Sequence, residues 1–280
     1  MTIRQALKKA KLMLAPVSET AALEADLLLC FVLNKPRTHL IAWPEAALSH
    51  DQLAQFLRFV EQRASGVPLA YLLGEKEFWG ERFSVTADTL IPRPETELLV
   101  AAALEVLPSQ AAFNVLDLGT GSGAIAVSIA KQRPHCYVVA VDFSDKALSI
   151  AKKNAQRQKL TNIEFVHSDW FSELTQTHYQ VIVANPPYVS ADDPHLVSGD
   201  IRFEPQAALV AEDHGLAALR HIIKQAGQYL DSGGWLMLEH GWDQGQNVQT
   251  LLTANHYQNV TLSEDLAGLD RMSMGQWVLK

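Results

Sequence analysis

From residue 113 onward the chain alternates short apolar runs with longer amphipathic stretches: NVLDLG, AIAVSIAKQ, YVVAVDF, DKALSIAKKNAQRQ, NIEFVHSD, YQVIVAN. Strands this apolar need cover on both faces, and the helical stretches between them supply it. Consecutive strands therefore lie parallel in a doubly wound sheet. After a long loop the alternation resumes with GLAALRHIIKQAGQYL, WLMLEHG and QGQNVQTLLTAN, and ends on two strand-like runs, NVTLSEDL and GQWVLK. The expected class is α/β, with a mostly parallel sheet of seven strands.

Residues 2–73 have a different rhythm. IRQALKKAKLML places Ile3, Ala6, Leu7, Ala10 and Leu14 on one helical face, and AALEADLLLCFVL is apolar enough for the centre of a small bundle. Ser49 and Gln52 have capping-box spacing ahead of another helix. KEFWGERFSVTADTL, around Gly80, reads as a hairpin. In IPRPETE, Pro94 followed by Glu95 and Glu97 marks a helix start. The expected organisation is a small all-α domain over 1–73, a β-hairpin linker over 74–90 and the α/β domain over 91–280. Cys30 and Cys136 are isolated, as expected of reduced thiols in a cytoplasmic protein. His167, His195, His214 and His240 lack metal-ligand spacing, so no metal is expected. MTIRQALKKAKLML is not a secretory signal and no run reaches membrane-spanning length. The net charge of −8 argues against a broad electrostatic grip on nucleic acid.

DLGTGSGA, Asp117 to Ala124, lies between a strand and a helix. Gly119, Gly121 and Gly123 let a ligand approach the backbone at the sheet's carboxyl edge, and Asp142 ends the next strand, where an acid can hold ribose hydroxyls. Gly119, Gly121 and Ala124 also fit the G-x-G-x-x-A dinucleotide fingerprint, so the loop alone leaves a nicotinamide cofactor and S-adenosylmethionine both open. Asp117 favours the second: a carboxylate there opposes a pyrophosphate and suits an ammonium group. Asp169 and Trp170, read as the end of the third strand, are candidates to accept from an adenine amino group and to cover its ring.

The fourth strand stops in VANPPYVS. Asn185 and Pro186 each precede a proline and are pushed to extended geometry, and both prolines have fixed φ. The Asn185 side-chain oxygen and the Pro186 carbonyl are thus aimed with little freedom. Two acceptors side by side match one NH₂ group, and Tyr188 offers a flat face to a planar amide or base.

With these segments the chain resembles the class I S-adenosylmethionine-dependent methyltransferases with an NPPY motif, which act on planar nitrogen. Within that group it is similar to the peptide chain release factor glutamine methyltransferases. The likeness spans nearly the whole chain: the helical N-terminal domain, FWGERFSVTADTLIPRPETE, DLGTGSGAIA, AVDFS, HSDWFS, NPPYV, DPHL and RFEP in the following loop, LEHGWDQG and DLAGLDR. The resemblance implies a seven-stranded methyltransferase sheet, with Asp117, Gly119, Thr120, Gly121, Ser122, Gly123 and Asp142 at the methionine and ribose parts of S-adenosylmethionine. Asp169 and Trp170 would lie at its adenine, and Asn185 would border both cofactor and substrate. Asn185 and Pro186 would accept the two N–H bonds of a glutamine amide, and Pro187 and Tyr188 would complete that pocket. It further implies cytoplasmic class 1 peptide chain release factors as partners, methylated at the glutamine of Gly-Gly-Gln, with the N-terminal domain docking them.

A ribosomal-protein glutamine methyltransferase shares these motifs, and a DNA adenine amino-methyltransferase shares NPPY but needs a basic cleft. A catalysis-free cofactor-binding module would not need the intact Asn185 pocket, and a redox enzyme using NAD leaves Asn185–Tyr188 unexplained. No strong general base accompanies the motif, so positioning and electrostatics are expected to carry the chemistry. Arg93, Glu95, Thr96 and Glu97 read equally well as a site flank and as a helix N-terminus. Glu239, His240 and Gln244 are expected to shape the end of the fifth strand, and KKNAQRQK (152–159) to form a solvated helix face.

Overall fold

The spacing of Ile3, Ala6, Ala10 and Leu14 forms α1 (Ile3–Leu14), which buries those four side chains. In the computed structural model, which describes residues 1–175 and 178–279, the chain divides into two units. Met1–Glu75 joins Pro194–Phe203 in one; Lys76–Asp193 joins Glu204 onward in the other. The first unit continues with α2 (Ala21–Leu33), α3 (Arg37–Ala42), α4 (His50–Ala64) and α5 (Leu69–Leu73). Capping boxes start α1, through Thr2 and Gln5, and α4, through Ser49 and Gln52, each satisfying two otherwise orphaned N–H groups. Leu28 and Leu29 of α2 and Phe56 and Val60 of α4 close the core against α1.

That unit also contains a charge that its core must neutralise. The buried Arg63 donates from Nε to Glu24 at 2.8 Å and from Nη1 to Asp200 at 2.9 Å. Arg202 donates to the Ser65 carbonyl at 2.7 Å, and its guanidinium occupies the space a side chain at Gly66 would take. Residues 194–203 are thereby tied into a helical unit more than a hundred positions away in sequence. Removing one partner of a buried pair strands the other charge and costs about 3–5 kcal/mol. Glu24→Ala is therefore expected to destabilise this unit by about 3 kcal/mol in urea denaturation, and Glu24→Leu with Arg63→Met to recover part of the loss.

The second unit opens with a hairpin, β1 (Glu75–Phe78, its first residue counted with the helical unit) and β2 (Glu81–Ser84). Trp79 and Gly80 turn it, both at positive φ (51° and 71°), which matches the twist of a two-residue hairpin. A 3₁₀ turn at Pro94–Thr96 leads into α6 (Glu97–Val106). Then come β3 (Asn114–Leu118), α7 (Ala124–Gln132), β4 (Tyr137–Asp142), α8 (Asp145–Arg157), β5 (Ile163–His167) and β6 (Tyr179–Ala184). The long loop contains two short paired strands, β7 (Val189–Ser190) and β8 (Val210–Ala211). The chain closes with α9 (Ala217–Ala226), β9 (Leu230–Glu239), α10 (Gly245–Ala254), β10 (Gln258–Glu264) and β11 (Asp270–Gln276).

The seven-stranded sheet has the order β10-β11-β9-β6-β3-β4-β5. The five strands β9 to β5 are parallel, and β11 and β10 add antiparallel to β9. Alternate residues feed opposite faces: Val115, Val138 and Val181 enter one core, Leu116, Val139 and Ile182 the other. From β3 the chain runs outward to β4 and β5, then returns to the other side of β3 as β6. That reversal leaves a crevice at the carboxyl ends of β3 and β6, where open α/β sheets bind ligands.

Two strand expectations needed correction. β9 starts at Leu230, not at Trp235; Gly233 and Gly234 sit inside it, where an irregularity sets Tyr179 against Leu230 and Val181 against Trp235. The final strand is Asp270–Gln276, not GQWVLK, whose last residue lies outside the described residues. The charged start of β11 is admissible because Arg271 pairs with Asp265 across the hairpin at 3.3 Å.

Candidate functional site

The glycine loop after β3 is held by two carboxylates. Gly119, Gly121 and Gly123 all have positive φ (71°, 57° and 82°), a region L side chains avoid. A Cβ on Gly123 would lie 3.0 Å from that of Ala151, so this glycine also seats the start of α7 against α8. Fully buried Asp117 accepts from Thr120 Oγ1 at 2.6 Å and the Ala126 N–H at 3.2 Å, both through Oδ2, while Oδ1 has no partner. Burial pushes its pKa up to about 7 against those two donors. Asp142 accepts the Gly121 N–H at 2.8 Å and the Ser144 N–H at 2.9 Å, and burial raises its pKa as well. Each oxygen of Asp142 keeps a further acceptor position.

A cavity of about 740 Å³ opens above this loop. Gly119, Gly121, Asp142 and Phe143 form one wall, Asn185, Pro186 and Pro187 another, and Asp169 and Trp170 also line it. Asp169 and Trp170 follow β5 and do not end it. They sit in a turn where Trp170 takes φ 52° and Ser168 Oγ donates to the Trp170 carbonyl at 2.9 Å. Asp117, Thr120, Ser122, Gly123 and Tyr188 are not on the cavity wall. They brace the residues that are.

The Asn-Pro-Pro-Tyr segment has trans peptide bonds throughout and is fixed at both ends. Asn185 Nδ2 donates to Thr96 Oγ1 at 3.1 Å, which turns Oδ1 the other way. Among the described residues no hydrogen bond ends on Asn185 Oδ1 or on the Pro186 carbonyl. The Tyr188 hydroxyl donates to Glu239 Oε1 at 3.1 Å, and the Tyr188 carbonyl accepts from Gln244 Nε2 at 3.0 Å. A side chain at Gly215 would collide with that carbonyl, 2.1 Å away, so only glycine fits there. Glu239 is buried at the end of β9; burial pushes its pKa up to about 7, against the Thr96 and Tyr188 hydroxyls. His240 faces the Gly241 carbonyl with Nδ1 at 2.9 Å and Ser273 Oγ with Nε2 at 2.8 Å. A carbonyl only accepts, so the Nδ1 proton is fixed; burial holds the ring's pKa down and keeps it neutral.

Several supporting residues were not singled out by the sequence. Glu204 accepts the Ile91 N–H at 3.0 Å and pairs with Arg93, joining RFEP to IPRPETE. Asn154, in the stretch read as a solvated face, is buried. It accepts from Ser84 N and donates to the Ser84 and Ser122 carbonyls, tying the hairpin and the glycine loop to α8. Its signal was an amide three residues after Ala151 and one before Ala155, both buried, on the inner face of an otherwise charged helix. Of the four ambiguous residues near Pro94, Thr96 reaches Asn185, whereas Glu97 accepts the Trp79 N–H at 2.8 Å and steadies the hairpin.

Asp117 and Glu239 bind a proton far more tightly in the folded chain than in the unfolded one, where carboxyls titrate near 4. Between about pH 4 and 7 the folded state therefore holds the extra protons, and stability falls as pH rises through that window. The ligand-free protein is expected to lose up to roughly 3–4 kcal/mol per carboxyl between pH 4 and 8. Asp117→Asn should flatten part of the slope in denaturant titrations at the two ends.

Comparison with known proteins gives this geometry a context. Residues 5–74 match the PrmC N-terminal domain and 96–201 the methyltransferase small domain. A release factor glutamine methyltransferase of Vibrio cholerae is 46% identical over 99% of this chain and 97% of its own. That of Escherichia coli is 44% identical over 93% and 94%. Among solved structures, a Pyrococcus furiosus methyltransferase superposes with a TM-score of 0.54 at 15% identity, over 73% of this chain and 92% of its own. The 16S rRNA N2 G1207 methyltransferase of T. thermophilus does so at 0.51 and 18%, over 72% and 49%. These two likenesses show the fold, and the sequence relatives show more: the chain belongs to the release factor glutamine methyltransferase family.

Proposed function

We propose that this protein transfers a methyl group from S-adenosylmethionine to the side-chain amide nitrogen of a glutamine, the one in the Gly-Gly-Gln motif of class 1 peptide chain release factors. The observation that carries this reading is the pair of unengaged acceptors, Asn185 Oδ1 and the Pro186 carbonyl, on residues that line the cavity. A carboxamide NH₂ presents two donors, and two fixed acceptors hold it without a base. Such a substrate resides in the cytoplasm with the translation machinery.

The cavity residues fit the cofactor. Glycines at positive φ leave the backbone bare, Asp142 keeps acceptor positions for ribose hydroxyls, and the Asp117 carboxylate beneath the loop favours a nearby ammonium group. Asp169 and Trp170 would hold the adenine. When bound, S-adenosylmethionine supplies an electrophilic methyl carbon.

An amide nitrogen is a weak nucleophile because its lone pair is delocalised into the carbonyl. Asn185 and Pro186 act on that weakness in two ways. They fix the direction of the NH₂ group, and their oxygens favour the positive charge that grows on nitrogen. Gln244 holds the Tyr188 carbonyl through its amide, and the missing side chain at Gly215 leaves room for it, so the stiff segment keeps its place. The methylated amide cation is strongly acidic and gives up its proton to water.

Asn185→Ala is expected to lower kcat by at least 100-fold while cofactor affinity, measured by calorimetry, stays within a few-fold. The direct test of the reading is incubation with labelled S-adenosylmethionine and purified release factors, with the modified residue located by mass spectrometry. Label on ribosomal protein in place of the Gly-Gly-Gln glutamine would overturn the substrate.

A further inference from the structure

Trp170 stands at the cavity in a backbone conformation that its own side chain disfavours. It holds φ at 52°, in the left-handed region that a bulky L side chain enters only when its surroundings impose it. Glycine would take this position without strain, yet the chain has its largest side chain here. The indole supplies the reason. A Cβ on Gly119 would meet Trp170 Cζ3 at 3.6 Å and Cη2 at 4.0 Å, so the outer ring of the indole lies beside the glycine loop, and both residues line the cavity.

Two anchors hold the turn. On the far side of Trp170, Phe171 is buried and stacks on Tyr229 with ring centroids 4.6 Å apart. On the near side, Ser168 is 1% exposed and bonds in three directions. Its N–H donates to the Asp142 carbonyl at 3.1 Å. Its hydroxyl donates to the Trp170 carbonyl at 2.9 Å and accepts the Glu173 N–H at 3.1 Å. The Asp142 carboxylate meanwhile accepts the Gly121 N–H at 2.8 Å. The end of β4 thus carries the glycine loop on its side chain and the Trp170 turn on its carbonyl.

We propose that Ser168 is a positioning residue: its hydroxyl joins the Trp170 carbonyl to the Glu173 N–H, fixes Trp170 in the left-handed region, and so holds the indole beside Gly119 as a wall of the S-adenosylmethionine cavity. A hydroxyl has one proton, and a carbonyl only accepts, so the Ser168 proton is committed to Trp170. The Ser172 hydroxyl, 3.5 Å away, is then left to donate to Ser168. Without the Ser168 hydroxyl, a carbonyl and an N–H lose their partners inside the turn, and nothing opposes the return of Trp170 to negative φ. That rotation swings the indole off Gly119. Ser168 borders the cavity, but its hydroxyl is spent within the turn, so its effect on a ligand passes through Trp170.

The inference rests on the functional reading given above, and its test includes arms that need no cofactor. In the ligand-free protein, the Gly119 Hα that stands where a Cβ would should show a nuclear Overhauser contact with the indole proton on Cζ3. Ser168→Ala should abolish that contact, and Ser168→Thr, which keeps the hydroxyl, should restore it. By calorimetry, Ser168→Ala should bind S-adenosylmethionine about ten-fold more weakly. At saturating cofactor its single-turnover methyl transfer should stay within about three-fold of wild type, and its KM for release factor likewise. Glycine holds a left-handed backbone unaided. Ser168→Ala should therefore shift the unfolding equilibrium about ten-fold in the wild type but less than about three-fold beside Trp170→Gly. An alanine variant that fails to fold and is rescued by Trp170→Gly supports the proposal equally; one that stays unfolded overturns it. Equal shifts in the two backgrounds would overturn it too. So would an intact Gly119–Trp170 contact in Ser168→Ala, which, joined to weaker cofactor binding, would assign Ser168 a direct contact with the ligand. Failure of the wild type to bind S-adenosylmethionine would instead overturn the functional reading, leaving the ligand-free arms to judge Ser168.

Discussion

A carboxylate removed from water must find donors or take up a proton, and this protein buries three of them along the carboxyl edge of one sheet. Asp117 and Asp142 gather N–H and O–H groups from the glycine loop; Glu239 accepts from the Tyr188 hydroxyl of the Asn-Pro-Pro-Tyr segment. The loops that form the cavity donate hydrogen bonds to these acids. Their shape comes from these acids, each planted at or near the end of a rigid parallel strand. The cost of desolvation is visible in the raised pKa of each acid, and what it gives in return is backbone held still around the cavity.

The division of labour at the edge follows from sheet topology. β3 and β6 are neighbours in space but are separated in sequence by two strand–helix excursions. Their carboxyl ends bring the glycine loop and the Asn-Pro-Pro-Tyr segment to the walls of one crevice. Fixed-φ residues are used on one wall and free-φ residues on the other. Glycines leave the backbone bare to a neighbour; prolines keep the Asn185 and Pro186 oxygens from relaxing away.

The parts of this design that depend on local chemistry were legible in the sequence. Apolar alternation gave the sheet, helical spacing gave α1, a capping box gave the start of α4, and glycine and proline runs marked both walls. What escaped was set by contacts between distant segments. Thr96 and Asn185 are 89 residues apart, and nothing in PETE marks which of its side chains turns inward. Asn154 looked solvated because its neighbours are charged, yet its position on the inner face of α8 buries it. The last strand was misplaced because Asp270 and Arg271 read as a loop until the Asp265 pairing is known.

Residues 194–203 lead away from the Asn-Pro-Pro-Tyr segment, join the helical unit through Asp200 and Arg202, and rejoin the sheet-bearing unit at Glu204, the partner of Arg93. No single cut in the chain separates the two units. Any fragment made by trimming the first 75 residues would strand a ten-residue stretch whose counterparts had been deleted, a few positions downstream of the Asn-Pro-Pro-Tyr segment. The helical unit is thus assembled from two separate pieces of chain, and recombining units from different relatives would require exchanging both pieces together.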